Sequence, residues 1–117
     1  MLSYNQIQEA IEKEGRRIGQ LAEECADIAD TAADAEATFK LDFAKARIRI
    51  GDDAAVVGKK VTMAVLEDAA TVETIESRRA HLRASASLTA IKEALKASEA
   101  RLRGLQTLAS GYRAAGG

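Results

Sequence analysis

The chain has 117 residues, of which 25 are alanine and none is proline or tryptophan, and its formal net charge is −1. A single cysteine excludes an internal disulfide framework, and no apolar run approaches the length of a membrane span. The opening sequence MLSYNQIQEA has neither the basic start nor the apolar block of a secretion signal, so we expect a cytoplasmic protein.

The amino-acid composition predicts an all-α protein with one domain. Proline, the strongest helix breaker, is absent, while Ala, Glu, Lys, Arg and Leu dominate and all favour helix. Alanine buries little apolar area, so the core of each chain should be thin. We therefore expect the chain to bury further surface against copies of itself, as a homo-oligomer.

A long amphipathic helix is predicted over residues 1–50. Ser3 and Gln6 form a capping-box pattern at its start. Apolar residues then repeat at seven-residue spacing in two rows, interrupted at Glu14, which together make one stripe that packs against other helices. Cys25 lies on this stripe and is expected to be a buried small apolar side chain. The rows comprise Tyr4, Ile11, Ile18, Cys25, Ala32, Phe39 and Ala46, and Ile7, Leu21, Ile28 and Ala35.

The segment GDDAAVVGKK, residues 51–60, is the best candidate for the only major connection. Gly51 and Gly58 bracket it, and Asp52 or Asp53 is expected to cap the next helix.

A second helical segment is predicted over residues 61–113, followed by a frayed tail, 114–117. Its apolar repeat changes register near RASASL, residues 83–88, which is either a stutter within one helix or a short turn between two. The first part has Val61, Val65, Val72, Ile75 and Leu82 at helical spacing. The second part has a coiled-coil-like seam of Leu88, Ile91, Leu95, Ser98, Leu102, Leu105, Ala109 and Tyr112.

Charge is distributed unevenly along the chain. Residues 1–38 carry nine acids and three bases, residues 39–60 carry six bases and three acids, and residues 61–117 carry eight bases and six acids. This change of sign suggests two surfaces with different partners. The near-zero total argues against indiscriminate coating of DNA and still permits a local basic site.

The basic segment begins with FKLDFAKARIRI, residues 39–50. Its cations could neutralise phosphates without reading sequence, and Phe39 and Phe43 could stack on the bases of a single strand. The competing interpretation is that both rings belong to the helix seam and the cations are simply solvated. Phe39 shares the phase of Ile18 in the repeat, which favours burial of Phe39.

An acidic ladder precedes the basic segment, with steps of four, three and four residues that place its carboxylates on one helix face. It comprises Glu23, Asp27, Asp30 and Asp34. The sequence LAEECAD is similar to the carboxylate motifs of all-α nucleotide pyrophosphohydrolases, in which acids on facing helices bind magnesium. Such a site needs a second acidic helix opposite. The alternatives are a solvated face or a docking surface for a basic partner, which includes another subunit's basic segment.

Other catalytic constellations are missing from the sequence. His81 is the only histidine, has no cysteine nearby, and is expected to be structural. There is no Ser/His/Asp arrangement, no P-loop and no dinucleotide-binding glycine motif. We therefore expect no enzymatic activity, no cofactor and no metal.

The order of an acidic helix, AKARIRI, a gap and KKVTMAVLEDAATVETI resembles the small phage recombination-mediator proteins of the UvsY type. Lys45-Ala46-Arg47 matches a Lys-Ala-Arg tripeptide near the end of a helix in that family. Lys60 and the segment VLEDAATVETI match the helix after a variable loop, and ALKASEARLRGLQTLASGYR is similar to the closing helix. The resemblance covers roughly residues 36–113.

The resemblance implies a non-enzymatic protein that binds single-stranded DNA and forms closed rings. Such mediators help a RecA-like recombinase to replace single-strand-binding protein on the strand. The family's DNA contacts would fall here on Lys45 and Arg47. The family has an aromatic pair after the tripeptide, and this chain has RIRIG there instead. DNA binding is therefore expected to depend more on phosphate contacts than on base stacking. Charge and position add four further candidates, Lys40, Arg49, Lys59 and Lys60.

Two other functions remain open at this stage. The chain could be a helical adaptor of a phage that binds a protein through the Leu88–Tyr112 seam and does not bind DNA. The pyrophosphohydrolase is the minor alternative. If the chain is phage-encoded, the expected compartment is the cytoplasm of the bacterial host.

Overall fold

A computed structural model describes residues 2–116, and within this range the chain forms three α-helices and no strand. Helix α1 spans Tyr4–Val56, α2 spans Met63–Glu73 and α3 spans Ile75–Ala114. The prediction of an all-α protein is confirmed. Over the same residues, no helix has both the length and the apolar character needed to cross a bilayer. Gly117, in the predicted frayed tail, lies outside the described residues.

Helix α1 begins with the predicted capping box. The Ser3 N–H donates to Gln6 Oε1 at 2.8 Å, and the Gln6 N–H donates to Ser3 Oγ at 3.2 Å. Two of the amide groups that have no partner inside the helix are thereby satisfied by side chains. The start of the longest helix is thus encoded by its first few residues.

The end of α1 lies beyond the predicted boundary at residue 50. Asp52 and Asp53 are inside the helix, so the prediction that one of them caps the next helix was wrong. Helix α1 ends at Val56, and two residues later Gly58 has a φ of +70°, where a side chain would be strained. The Gly58 N–H donates to the Ala55 carbonyl and the Lys59 N–H to the Ala54 carbonyl, at 3.1 and 2.9 Å. This pair of bonds is a Schellman motif.

Thr62 caps α2, because its hydroxyl accepts a hydrogen bond from the Val65 N–H at 3.2 Å. Helices α2 and α3 are separated by Thr74 alone. The Thr74 hydroxyl donates to the Ala70 carbonyl at 2.7 Å, while the Arg78 N–H donates to the Thr74 carbonyl at 3.0 Å. Helical hydrogen bonding therefore resumes immediately. Helix α3 then continues without interruption through residues 83–88, which form part of one helix.

The described chain divides into two compact units. The terminal unit contains the residues up to Asp27 and those from Leu88 onward. The central unit contains Ile28–Ser87, and so holds the last part of α1, all of α2 and the first part of α3.

The predicted seams are confirmed in the terminal unit. Ile7, Leu21 and Ala109 are buried there, and the remaining predicted seam residues are at least half-buried. The Tyr112 hydroxyl donates to the Leu2 carbonyl, and the rings of Tyr112 and Tyr4 lie 6.1 Å apart. These contacts join opposite ends of the sequence, so α1 and α3 run antiparallel within this unit.

The two polar interruptions of the seams meet in the terminal unit. Ser98 is fully buried, and its hydroxyl accepts hydrogen bonds from Arg17 Nε and Arg101 Nη2, both at 3.3 Å. Arg101 Nε also lies 3.0 Å from Glu14 Oε1. Hydrogen bonding from Ser98 is the main cause that lowers the pKa of Glu14, and Arg101 adds to it. A polar layer of this kind favours one register over its neighbours.

The central unit has a core of alanines. Its buried apolar residues are Ala32, Ala46 and Ala70, accompanied by Thr74. The larger apolar residues at helical spacing in the second segment do not supply this core. Val61 precedes α2, and Val65, Val72, Ile75 and Leu82 are all exposed. The central unit therefore leaves much apolar surface in contact with solvent.

Candidate nucleic-acid interface

All six candidate DNA-binding residues lie in the central unit. Four of them are on the last five turns of α1, and Lys59 and Lys60 lie on the loop between α1 and α2. The Schellman motif at Gly58 positions the loop, because it ends α1 immediately before the two lysines. The segment predicted from charge is thus one continuous stretch of helix and loop.

The two phenylalanines are partly built into the packing of the central unit. The Phe39 ring stacks on the His81 ring at 5.8 Å with an interplanar angle of 10°, and lies 6.0 Å from the Phe43 ring. All three side chains are half-buried. Phe39 therefore packs against His81 of α3, in agreement with the burial that its phase in the repeat favoured. His81 has a packing role, and its buried Nδ1 has no hydrogen-bond partner in the described structure.

Arg47 is held by apolar and sulfur contacts. Its guanidinium lies 6.0 Å from the centroid of the Phe43 ring, and Nη2 is 3.1 Å from the sulfur of Met63. Its Nε is buried and has no partner among the described residues. Because no carboxylate within the described range forms an ion pair with Arg47, its positive charge is not neutralised by a close acid.

Arg49 and Lys40 are neutralised by acids in the same unit. Arg49 pairs with Asp53 at 3.1 Å and with Glu73 of α2, and the Glu73 carboxylate is the main cause that raises the pKa of Arg49. Lys40 Nζ lies 2.8 Å from Glu36 Oε1, and this contact lowers the pKa of Glu36. A phosphate would have to compete with these carboxylates, so both cations are weaker candidates than their charge suggests.

Three lysines are exposed and have no ion pair within the described part of the chain, namely Lys45, Lys59 and Lys60. Their ammonium groups are fully available to phosphate oxygens. Together with Arg47 they are the uncompensated cations of the candidate interface.

The Lys45-Ala46-Arg47 tripeptide is divided between two sides of α1. Lys45 and Arg49 line a groove of about 340 Å³ between α1 and the α2–α3 junction. Arg47 lines a different groove of about 490 Å³ beside α2. Ala46 is buried between them. A single line of phosphates along one face of α1 therefore cannot contact both cations from the same side.

The groove that contains Lys45 has mixed charge. Its lining includes three acids, Asp42, Glu73 and Glu76, which outnumber the two bases. This groove is therefore less suited to an anion than the solvent-facing side of Lys45. The more favourable path for a phosphate chain runs over the exposed end of α1 and the loop.

The acidic ladder lies on the exposed face of α1. Glu23, Asp27, Asp30 and Asp34 all contact solvent. Over residues 2–116, no three His, Cys, Asp or Glu side chains come together in a way that could hold a metal ion.

Some of the residues that surround the candidate cations and Phe39 could not be identified from the sequence. Glu73, Met63 and His81 contact α1 residues that are 16 or more positions away. Only the packing of α2 and α3 against α1 brings them together, and no local pattern indicates it.

Comparison of the chain with protein families, with curated proteins and with solved structures finds no match.

Proposed function

We propose that this chain is a non-enzymatic single-stranded-DNA-binding protein that acts as a recombination mediator. The observation that carries the proposal is a set of three exposed, unpaired lysines, with Lys45 on the last turns of α1 and Lys59 and Lys60 on the loop that follows. Lysines without acidic partners release counterions when they bind phosphates, and this release drives sequence-independent binding.

Each chain offers only a few such cations, so binding by a single copy is weak at physiological salt. A homo-oligomer, which we propose to be a ring, repeats the site and multiplies the effective affinity without new chemistry. DNA held in this way is presented to a RecA-like recombinase while single-strand-binding protein is displaced by competition. The resemblance of the Lys45-Ala46-Arg47 segment to the UvsY type supports this finer part of the proposal.

Titration of fluorescent oligo-dT at several salt concentrations tests the proposal. The site variant replaces Lys45, Lys59 and Lys60 by alanine. The control variant replaces three exposed cations of α3 in the terminal unit, Lys92, Lys96 and Arg103, and so changes the net charge equally. The mass of both variants is measured alongside, so that lost assembly is not mistaken for lost contacts.

Three phosphate contacts on single-stranded DNA contribute about 2 to the slope of log K against log salt. The salt dependence of the site variant should be shallower by this amount. The ratio of wild-type affinity to site-variant affinity should therefore be roughly 20-fold larger at 50 mM salt than at 200 mM salt. The control should resemble the wild type. Equal losses in both variants would show that these three lysines are not the DNA site.

A helical adaptor without DNA binding is the second candidate. The exposed apolar residues of the central unit favour it, because large apolar side chains at the surface are typical of protein interfaces. Absence of oligo-dT binding at low salt by the assembled protein would favour this candidate over the mediator.

A further inference from the structure

Helix α1 carries a second apolar stripe, on the side opposite its buried seam. Leu41 and Ile48 are 55% and 66% exposed and lie seven residues apart. Ala37, Ala44 and Gly51 alternate with them at steps of four and three residues. This spacing is that of a coiled-coil seam, in which large residues of one helix fit between residues of another. Leu41 and Ile48 remain open to solvent, and α2 borders the stripe only at its end, where Leu66 lies beside Ile48 and Gly51.

A groove runs along one side of the outer stripe. Ala44, Ile48, Gly51 and Leu66 line it, together with Arg47 and Asp52, and its volume is about 490 Å³. Glycine weakens a helix interior, and nothing lies within 4 Å of the position that a Gly51 Cβ would occupy. There is therefore room for a second helix to approach the backbone of α1 closely at Gly51.

Ten of the twelve exposed large apolar residues of the described chain belong to the central unit, and Leu41 and Ile48 are among them. Large apolar side chains that gather at a surface are typical of protein interfaces.

The charges on the same stripe indicate the direction of the second helix. Asp30 and Asp34 precede Ala37 in the same alternating register and are exposed. Lys59 and Lys60 follow the other end of the stripe. If two stripes pair antiparallel with the crossing between Ala44 and Ile48, the aspartates of each copy lie beside the lysines of the other. Parallel pairing would instead place aspartates beside aspartates.

We propose that two copies of this chain pair antiparallel through the outer stripe of α1, with Leu41 and Ile48 as its apolar contacts. The same patch meets itself, so the contact closes after two copies and makes a building block for larger assemblies. The proposal goes beyond the proposed function and rests on it only for the expectation that copies assemble. In the pair, Lys59 and Lys60 face the aspartates of the other copy, so single-stranded DNA would compete with pairing for these two lysines. All tests are made without DNA, so failure of pairing and failure of DNA binding are distinguishable.

Sedimentation equilibrium across a concentration series tests the apolar contact. Ile48→Lys should raise the dissociation constant of the pair at least 100-fold, because each pair contains two such side chains. Val72→Lys is the matched control, since Val72 is 74% exposed on α2 outside the stripe, and it should leave pairing unchanged. Leu41→Lys is the second stripe variant, and circular dichroism checks that all three remain helical.

Monomers at every concentration, or pairing that Ile48→Lys and Leu41→Lys leave intact, would overturn the proposal. A larger assembly that both stripe variants dissociate would support it, because the pair is then a building block.

Charge reversal tests the antiparallel direction. Lys59→Glu with Lys60→Glu should weaken pairing about tenfold at low salt, and adding Asp30→Lys with Asp34→Lys should restore it. Restoration requires opposite charges to face each other across the pair. If the fourfold variant pairs no better than the double variant, the antiparallel geometry is wrong.

Discussion

Replacing Ile7 by alanine should remove a large share of the stability of the terminal unit. Ile7 is 1% exposed, and among the buried apolar residues of the described chain only Ile7 and Leu21 are larger than alanine. A buried Ile→Ala change costs about 2–5 kcal/mol, and alanine recovers about 0.4 kcal/mol through its helix propensity. We expect a net loss of about 3 kcal/mol, which is substantial against a typical total of about 5–15 kcal/mol.

Urea denaturation followed by circular dichroism measures this loss. The protein concentration is held constant, because self-association makes apparent stability depend on it. Val72→Ala is the control, since it also shortens a β-branched side chain but at a position that is 74% exposed. Its effect should stay within about 0.5 kcal/mol. A loss below about 1 kcal/mol for Ile7→Ala would refute the tight burial of Ile7 and the thin-core argument built on it.

Two further predictions concern charged residues. Because the pKa of Glu14 is lowered in the folded state, its carboxylate stabilises the fold fully above the ordinary pKa of 4.5, and this contribution is lost as the pH falls through the folded-state pKa. Urea denaturation at pH 6 and pH 3 should therefore show a smaller acid-induced loss of stability for Glu14→Gln than for the wild type. Equal losses would contradict this prediction. Glu73→Gln combined with Asp53→Asn should release Arg49 and strengthen oligo-dT binding, with a salt slope steeper by about 0.7, whereas the exposed pair Glu9→Gln and Glu12→Gln should have no such effect. An unchanged slope for the Glu73 and Asp53 double variant would show that Arg49 does not reach the DNA.

Local sequence signals determined the helices and much of their buried faces. The capping box at Ser3, the absence of proline and the seven-residue repeats required only contacts within a few turns, and these predictions are confirmed. The end of α1 was missed because two glycines were candidates. Alanines around Gly51 support helix, and only Gly58 adopts the positive φ that ends it.

Which cations are free could be decided only by tertiary structure. Charge and position alone place Lys40, Lys45, Arg47 and Arg49 on equal terms. The packing of α2 against α1 brings Glu73 to Arg49 and Met63 to Arg47, and it leaves Lys45 exposed. The physical reason is that screening of a charge depends on neighbours within a few ångströms, and these neighbours come from distant parts of the chain. Helical periodicity, by contrast, is a property of the local sequence and can be read from it directly.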